Sequence, residues 1–131
     1  MAIEQLMLLI NSGVLLFIVI FQGLLTDATM GIKYAMGNRH EKVKDTPLMG
    51  RVIRLRNNQI ENLVIFISLV VISSTANISN NSTIYGAQIF TISRVVYAIL
   101  YLVGVKVLRS IIWTIGLIGI FIMSYGLFLS R

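Results

Sequence analysis

The sequence has 131 residues, of which 56% are hydrophobic and only 12% are charged, and its mean hydropathy is +0.86. Soluble domains typically carry about 25% charged residues, so this composition excludes an ordinary soluble fold. Cysteine is absent, which excludes disulfides, thiolate nucleophiles and thiolate metal sites.

The first apolar stretch covers about residues 3–25 and contains no lysine or arginine. It is longer than the apolar region of a signal peptide, so we expect a retained membrane span. Three further stretches, at about 59–76, 84–104 and 107–129, are each close to the roughly 20 residues that a spanning helix needs. The sequence therefore predicts one all-α integral membrane domain over residues 1–131, built as a bundle of four transmembrane helices.

The basic residues mark the orientation of the chain. The linker between spans one and two, at about 33–56, contains most of them, and the short connection between spans three and four adds Lys106 and Arg109. Loops rich in lysine and arginine stay on the cytoplasmic side, so we expect both termini on the other side. We expect a multi-pass protein of the bacterial inner membrane if the source is prokaryotic, or of the endoplasmic reticulum if it is eukaryotic. This distribution accounts for the net charge of +6 without a nucleic-acid partner.

Two polar segments between the spans are interpreted as loops. His40 is the only histidine and has no neighbour at metal-ligand spacing, so we expect a solvated residue and no metal site. The uncharged connection at 77–83 contains three overlapping or adjacent glycosylation sequons. Such patterns are common by chance in segments rich in asparagine and serine, and a polar turn is the favoured interpretation.

A polar stripe enters span two from the linker. At about 100° per residue, Arg51, Arg54, Asn58 and Glu61 fall within an arc of roughly 80° on one helix face. Arginines at a helix end that snorkel to the lipid headgroups would explain the cations. They would not explain Glu61, because a carboxylate gains nothing from that surface.

Span three carries a second stripe, because Arg94, Tyr97 and Tyr101 are spaced by three and four residues. An arginine at bilayer depth costs at least about 2.5 kcal/mol unless it is paired or faces a polar cavity. Glu61 is the acidic partner that the sequence offers. Two interpretations stay open: a structural Arg94 to Glu61 ion pair, or a ligand site.

The start of span four carries a third cluster, in which Arg109 and Trp113 share a face and Ser110 lies nearby. An interfacial arginine and tryptophan also form ordinary membrane anchors. However, all three clusters lie toward the same end of the bundle. They predict a cationic pocket, rich in hydrogen-bond donors, that suits a small polyanion and an apolar second substrate.

Three segments resemble the MAPEG family, the membrane-associated proteins in eicosanoid and glutathione metabolism. "RVIRLRNNQIEN" at 51–62 is similar to the family's Arg-x-x-Arg-x-x-x-Asn-x-x-Glu signature on helix two. "RVVYAILY" at 94–101 matches its Arg-x-x-(His/Tyr)-x-x-x-Tyr pattern on helix three, and "RS" at 109–110 follows the third connection. The resemblance covers about residues 33–113, with the spans in the same number and order.

The resemblance implies a homotrimer in which glutathione binds between neighbouring subunits near the cytoplasmic side. A lipophilic second substrate would enter from the membrane lipid. The glutathione-binding positions would be Arg51, Arg54, Asn58, Glu61, Arg94, Tyr97 and Tyr101, with Trp113 beside them. Arg109 would lie by the sulfur as the catalytic residue, supported by Ser110. The family's helix-one cation has Lys33 as its best counterpart and Arg39 as a weaker one.

The resemblance leaves the reaction open. Where the microsomal prostaglandin E synthase has a tyrosine one turn after its catalytic arginine, this chain has Trp113. We therefore expect a general glutathione transferase or peroxidase, with isomerase activity not decided by the short Arg-Ser match. Two alternatives remain: a small four-span multidrug transporter, and a non-catalytic member of the same family. Such transporters place an essential glutamate in the middle of span one, and this span has none there.

Overall fold

In a computed structural model, residues 1–130 are described, and they form helices joined by short turns and one longer linker. Four long helices and one short one follow each other along the chain: α1 Ile3–Met30, α2 Ile32–Met36, α3 Pro47–Thr75, α4 Asn81–Val103 and α5 Val107–Leu129. The four long helices are apolar and long enough to cross a membrane. This confirms the prediction of an all-α protein with four spans.

Helix α3 begins well before the predicted span at 59–76. Thr46 is its N-cap and accepts a hydrogen bond from the Met49 amide at 3.1 Å, and Pro47 occupies the first turn. Both residues favour helix initiation. The second half of the basic linker is consequently helical. At 1.5 Å per residue, α3 is about 43 Å long and exceeds the roughly 30 Å hydrocarbon layer.

The end of the bundle that carries the linker at 31–46 is called the basic end here. At the opposite end, Asn80 caps α4 by accepting from the Thr83 amide, while its own side-chain amide donates to Gly126 O at 3.0 Å. Glu4 accepts hydrogen bonds from the hydroxyls of Ser79 and Thr83 at 2.9 and 2.6 Å. The segment with the sequons is therefore a polar turn that links α1, α4 and α5.

Helix α4 lies at the centre and contacts α1, α3 and α5. Its contact with α5 is a close approach of backbones: a Cβ added at Gly86 would lie 2.5 Å from the Met123 nitrogen, and one at Gly119 would lie 2.7 Å from the Phe90 nitrogen. Small residues of this kind allow helices to associate in lipid, where apolar burial gives no drive between helices.

Helix α1 contributes little to the interior of the protomer. Its buried residues, Glu4, Asn11 and Ile18, are spaced seven apart and form one narrow seam. Within the seam, the Asn11 side-chain amide donates to the Thr91 hydroxyl at 2.7 Å. Flanking residues such as Val14 and Leu15 are partly buried against the core, and the outer face of α1 exposes large apolar side chains.

Candidate functional site

The three predicted polar clusters meet at the basic end, where α4 turns back into α5. Gly104 makes this turn with φ of 90°, a conformation that favours glycine. A Cβ at Gly104 would lie 3.4 Å from Nη1 of Arg51, so the turn also packs beside the start of α3. Arg109, in the first turns of α5, is thereby returned alongside the last turns of α4.

Arg94 is almost completely buried, with 2% of its surface exposed. Its Nε donates to Gln59 Oε1 and its Nη2 donates to Asn58 Oδ1, both at 2.9 Å. The guanidinium carbon also lies 4.5 Å from the centre of the Tyr97 ring. The bonds of Arg94 are thus made to neutral groups on α3 and to an aromatic face.

The ion pair between Arg94 and Glu61, one interpretation of the sequence, is not formed within the described protomer, so that prediction is wrong for the protomer. Glu61 is exposed and makes no ion pair or hydrogen bond within residues 1–130. The physical reason is helix geometry: Gln59 and Glu61 are two positions apart, so they point about 200° apart around α3. With Gln59 facing α4, Glu61 must face away from it.

Neutral partners leave the charge of Arg94 uncompensated. Side-chain amide oxygens supply the hydrogen bonds that a buried guanidinium needs. The Asn62 side-chain nitrogen lies 3.5 Å from the same Asn58 side-chain oxygen and donates to the Asn58 backbone oxygen at 2.8 Å. The arrangement keeps a positive field at the basic end while satisfying the donors of the cation.

Tyr97 and Tyr101 join the three clusters. Their ring centres are 5.4 Å apart, and both side chains are buried. The Tyr101 hydroxyl accepts from Nε of Arg54 at 3.3 Å, and the guanidinium carbon of Arg109 lies 4.3 Å from the centre of the Tyr101 ring. The structure therefore brings Arg54, Arg94 and Arg109 around one pair of phenols.

Arg51 and Glu61 lie at the two margins of this cluster. Arg51 is half-buried beside Gly104, and its Nε is buried with no hydrogen-bond partner in the described chain. Glu61 lies one helical turn beyond Asn58, on the outer face of α3. Both side chains keep unused hydrogen-bonding capacity in the protomer.

Three predicted residues are not brought into the cluster. Lys33 lies with Tyr34, Arg39 and His40 in a separate cavity of about 380 Å³. Ser110 is exposed, and its hydroxyl donates to the Lys106 carbonyl at 3.4 Å. Trp113 is 39% exposed on the surface of α5.

Gln59 is the residue that sequence reasoning missed. It is 1% exposed and occupies the face of α3 that otherwise presents Val52, Leu55, Leu63 and Phe66 to the core. A single polar residue on an apolar face is a readable signal of a buried polar partner. That signal was hidden by the more conspicuous charges next to it.

The cluster is suited to binding an anion. Arg54 and Arg109 make no ion pair with any described carboxylate, and guanidinium groups bind carboxylates through paired N–H donors. The phenols add polar hydroxyls in a surrounding of apolar side chains. Negative charge that develops on a bound group would be strongly stabilised there.

These features define a class: a multi-pass integral membrane protein with a cationic, phenol-containing site at one end of a four-helix bundle. The sequence model of the MAPEG family matches residues 6–129. The chain belongs to the MAPEG family, whose members include glutathione transferases and related enzymes of eicosanoid and glutathione metabolism. Among curated proteins and solved structures, no significant match to the chain is found.

Proposed function

We propose that the protein is a glutathione transferase or peroxidase that acts on lipophilic electrophiles or hydroperoxides. The observation that carries this proposal is the group of arginines around Tyr97 and Tyr101, of which Arg54 and Arg109 have no acidic partner among the described residues. Glutathione carries two carboxylates, one ammonium group and one thiol. The cluster offers matching groups for each of them.

In this proposal, Arg51 and Arg54 hold the carboxylates of glutathione. Both have guanidinium N–H donors that the described residues leave unused, and they lie one helical turn apart on α3. Glu61 pairs with the ammonium group, which gives its exposed carboxylate a partner. Arg94 has a positioning role, because its hydrogen bonds orient Asn58 and its charge adds to the positive field.

Arg109 is the proposed catalytic residue. A free thiol has a pKa of about 8.5, and each unit by which a nearby cation lowers it favours the thiolate by about 1.4 kcal/mol. The released proton passes to solvent at the basic end. The thiolate sulfur then bonds to an electrophilic carbon, and the leaving group departs with the electron pair of its broken bond.

We propose that the active unit is a homotrimer with the basic end in the cytosol. A carboxylate in contact with lipid is costly, and Glu61 lies exposed at the margin of the apolar part of α3. A neighbouring copy would cover this face and close the site around glutathione. Native mass spectrometry in mild detergent tests the assembly, and a population of monomers and dimers alone would contradict it.

Calorimetry with glutathione, beside turnover of a generic aryl halide, tests the function. We expect saturable binding and conjugate formation by the wild type and by Lys44→Gln, which removes an exposed linker charge away from the cluster. Arg54→Gln should weaken glutathione binding by at least tenfold, because a charge-assisted hydrogen bond is worth about 1.5 to 3 kcal/mol. Binding without turnover would identify a non-catalytic member of the family. The absence of both would contradict the proposal and leave transport to be tested.

A further inference from the structure

A groove runs along the outside of the bundle between α1 and α4. It contains two cavities of about 340 Å³ each, which share Ile10 and Val95 and are therefore continuous. Along α4 the groove extends from Gln88 to Leu102, and at 1.5 Å per residue this is about 21 Å. The α1/α4 groove is thus longer than half of the roughly 30 Å hydrocarbon layer, and it can hold most of a lipid hydrocarbon chain.

Most of the lining of the α1/α4 groove is apolar and faces outward. Phe17, Ile92 and Ile99 line it and are 59, 63 and 57% exposed. Gly13 also lines it, and a Cβ added there would meet nothing within 4 Å. Any acyl chain of the membrane would fit against this lining, so the apolar residues alone do not select a ligand.

Two polar side chains interrupt the apolar lining. Gln88 is half-buried and makes no hydrogen bond within residues 1–130. Thr91 is 3% exposed, and its oxygen accepts from the Asn11 side-chain amide at 2.7 Å, but its own O–H has no acceptor among the described residues. Gln88 and Thr91 are three positions apart, so they share one face of α4. The protomer therefore leaves one amide and one hydroxyl donor unused in the groove.

Both side chains lie inside the hydrocarbon layer. At 1.5 Å per residue, Gln88 is about 10 Å and Thr91 about 15 Å from the start of α4 at Asn81. An unpartnered polar group is costly at such depth, and glutamine and threonine in membrane spans usually bond to a neighbouring helix. The residues that α1 contributes to this part of the groove, Met7 and Ile10, are apolar. Gln88 is consequently available to a molecule that occupies the groove.

The unused groups specify the polar group of that molecule. The Gln88 amide offers N–H donors and an oxygen acceptor, and the Thr91 hydroxyl adds a donor. A hydroxyl group matches this set, because it can donate to the Gln88 oxygen while its lone pairs accept from the Gln88 nitrogen and from Thr91. A carbonyl group would leave the Gln88 oxygen without a donor. A charged headgroup is unsuited to this depth, because it would be buried in hydrocarbon.

We propose that the α1/α4 groove binds a lipid that carries a hydroxyl group part-way along its hydrocarbon chain. The hydroxyl lies between Gln88 and Thr91, and the chain beyond it passes Gly13 and Val95 toward the basic end. The carboxyl or headgroup end of the lipid stays at the opposite surface of the membrane. The apolar lining provides affinity for the chain, and the two polar side chains provide the selection for the hydroxyl.

The α1/α4 groove is separate from the arginine cluster. Ile18 and Ala98 line the groove and belong to the core cluster that includes Tyr97 and Tyr101, whereas neither tyrosine lines the groove. A bound chain would therefore contact the apolar layer beside the tyrosines without contacting the arginines. The inference does not depend on glutathione binding, so each of the two can fail without the other.

The test uses the full-length protein, stripped of lipid in detergent and titrated with fatty esters in native mass spectrometry. Methyl ricinoleate carries a mid-chain hydroxyl, and methyl oleate is the same chain without it. We expect methyl ricinoleate to bind at least fivefold more tightly than methyl oleate, because it satisfies hydrogen-bonding groups that the protomer leaves unused. It should have the same advantage over an oleate ester that is hydroxylated beside the carboxyl group, since that hydroxyl would lie at the membrane surface.

Three variants separate the roles of the polar and the apolar lining. Gln88→Leu should remove the preference for methyl ricinoleate while leaving the affinity for methyl oleate within twofold. Gly13→Leu, which places a side chain in the groove, should weaken the binding of both esters by at least fivefold. Ser68→Ala is the matched control, because it removes an exposed hydroxyl of α3 whose bond is to the Val64 carbonyl of its own helix. This variant should bind both esters as the wild type does.

Other outcomes overturn the proposal. Equal affinities for methyl ricinoleate and methyl oleate, or a preference that survives Gln88→Leu, would show that the groove does not select a hydroxyl. A changed oligomeric state of Gln88→Leu in the same spectra would identify another copy of the chain as the partner of Gln88. Glutathione affinity is measured on the same variants and should equal that of the wild type. Its loss in Gln88→Leu would assign Gln88 to the glutathione site instead.

Discussion

The contact between Arg94 and Gln59 gives a sharp test of the structure. Gln59→Leu removes the acceptor for Nε of Arg94, which is buried and has no alternative partner for that atom among the described residues. A hydrogen bond to a charged group is worth about 1.5 to 3 kcal/mol, and the orphaned donor adds to the cost. We expect Gln59→Leu to lower the free energy of unfolding by about 2 to 3 kcal/mol. Arg94→Leu should cost a similar amount, because it orphans the Gln59 and Asn58 oxygens.

The double variant distinguishes this contact from the ion pair that charge matching suggests. Gln59→Leu with Arg94→Leu should cost less than the sum of the single changes, with a coupling of about 1 to 2 kcal/mol. The same cycle with Glu61→Leu and Arg94→Leu should be additive within about 0.5 kcal/mol. Unfolding by sodium dodecyl sulfate in mixed micelles, followed by helical circular dichroism, provides the measurement. Strong coupling of Arg94 to Glu61, without coupling to Gln59, would refute the geometry described here.

Three further changes test other parts of the molecule. Arg109→Leu should leave glutathione affinity within a few-fold but remove the ultraviolet absorbance of the bound thiolate. Arg109→Lys should keep only partial activity, because an ammonium lacks the planar donors of arginine. An unchanged thiolate titration by Arg109→Leu would assign the activating role to another residue. Gly119→Leu should destabilise the bundle by at least about 2 kcal/mol by forcing α4 and α5 apart. Gly13→Ala, with nothing within 4 Å of the added Cβ, should not destabilise it in the same denaturant titration, because alanine favours a helix interior over glycine. Asn80→Ala should cost about 1 kcal/mol or more by removing the α4 cap and the bond to Gly126 O, and a neutral result would contradict the role of that turn.

The hydrophobic pattern predicted the four spans because each one is a continuous apolar run of membrane length. It did not predict where α3 begins. The residues that start this helix, Thr46 and Pro47, lie in a polar segment whose composition resembles a loop. Capping is a local hydrogen-bond signal, which hydropathy does not measure. The pair was nevertheless readable as an N-cap followed by a first-turn proline.

Helical spacing predicted most of the side chains that lie together in the cluster of arginines and tyrosines. Arg54, Asn58, Arg94, Tyr97 and Tyr101 lie together because each stripe occupies one face and those faces meet. Spacing along one helix, however, does not specify which face meets which neighbour. The choice between Gln59 and Glu61 as the partner of Arg94 depended on that rotation. Charge complementarity predicted Glu61 as the partner of Arg94, but α3 packs against α4 with Gln59 facing Arg94.

The distribution of polar bonds differs between the two ends of the bundle, and the difference has a physical consequence. At the opposite end, Glu4 and Asn80 accept or donate hydrogen bonds that connect three helices, and the connection at 77–83 contains no charged residue. At the basic end, Arg51, Arg54 and Arg109 are gathered with few hydrogen bonds to the described residues. Like charges held close together raise the free energy of the folded state, so packing in the core and at the opposite end must hold them there. An anion bound among them would relieve this repulsion. The arrangement of arginines that destabilises the folded protein without a ligand therefore also favours binding of an anion.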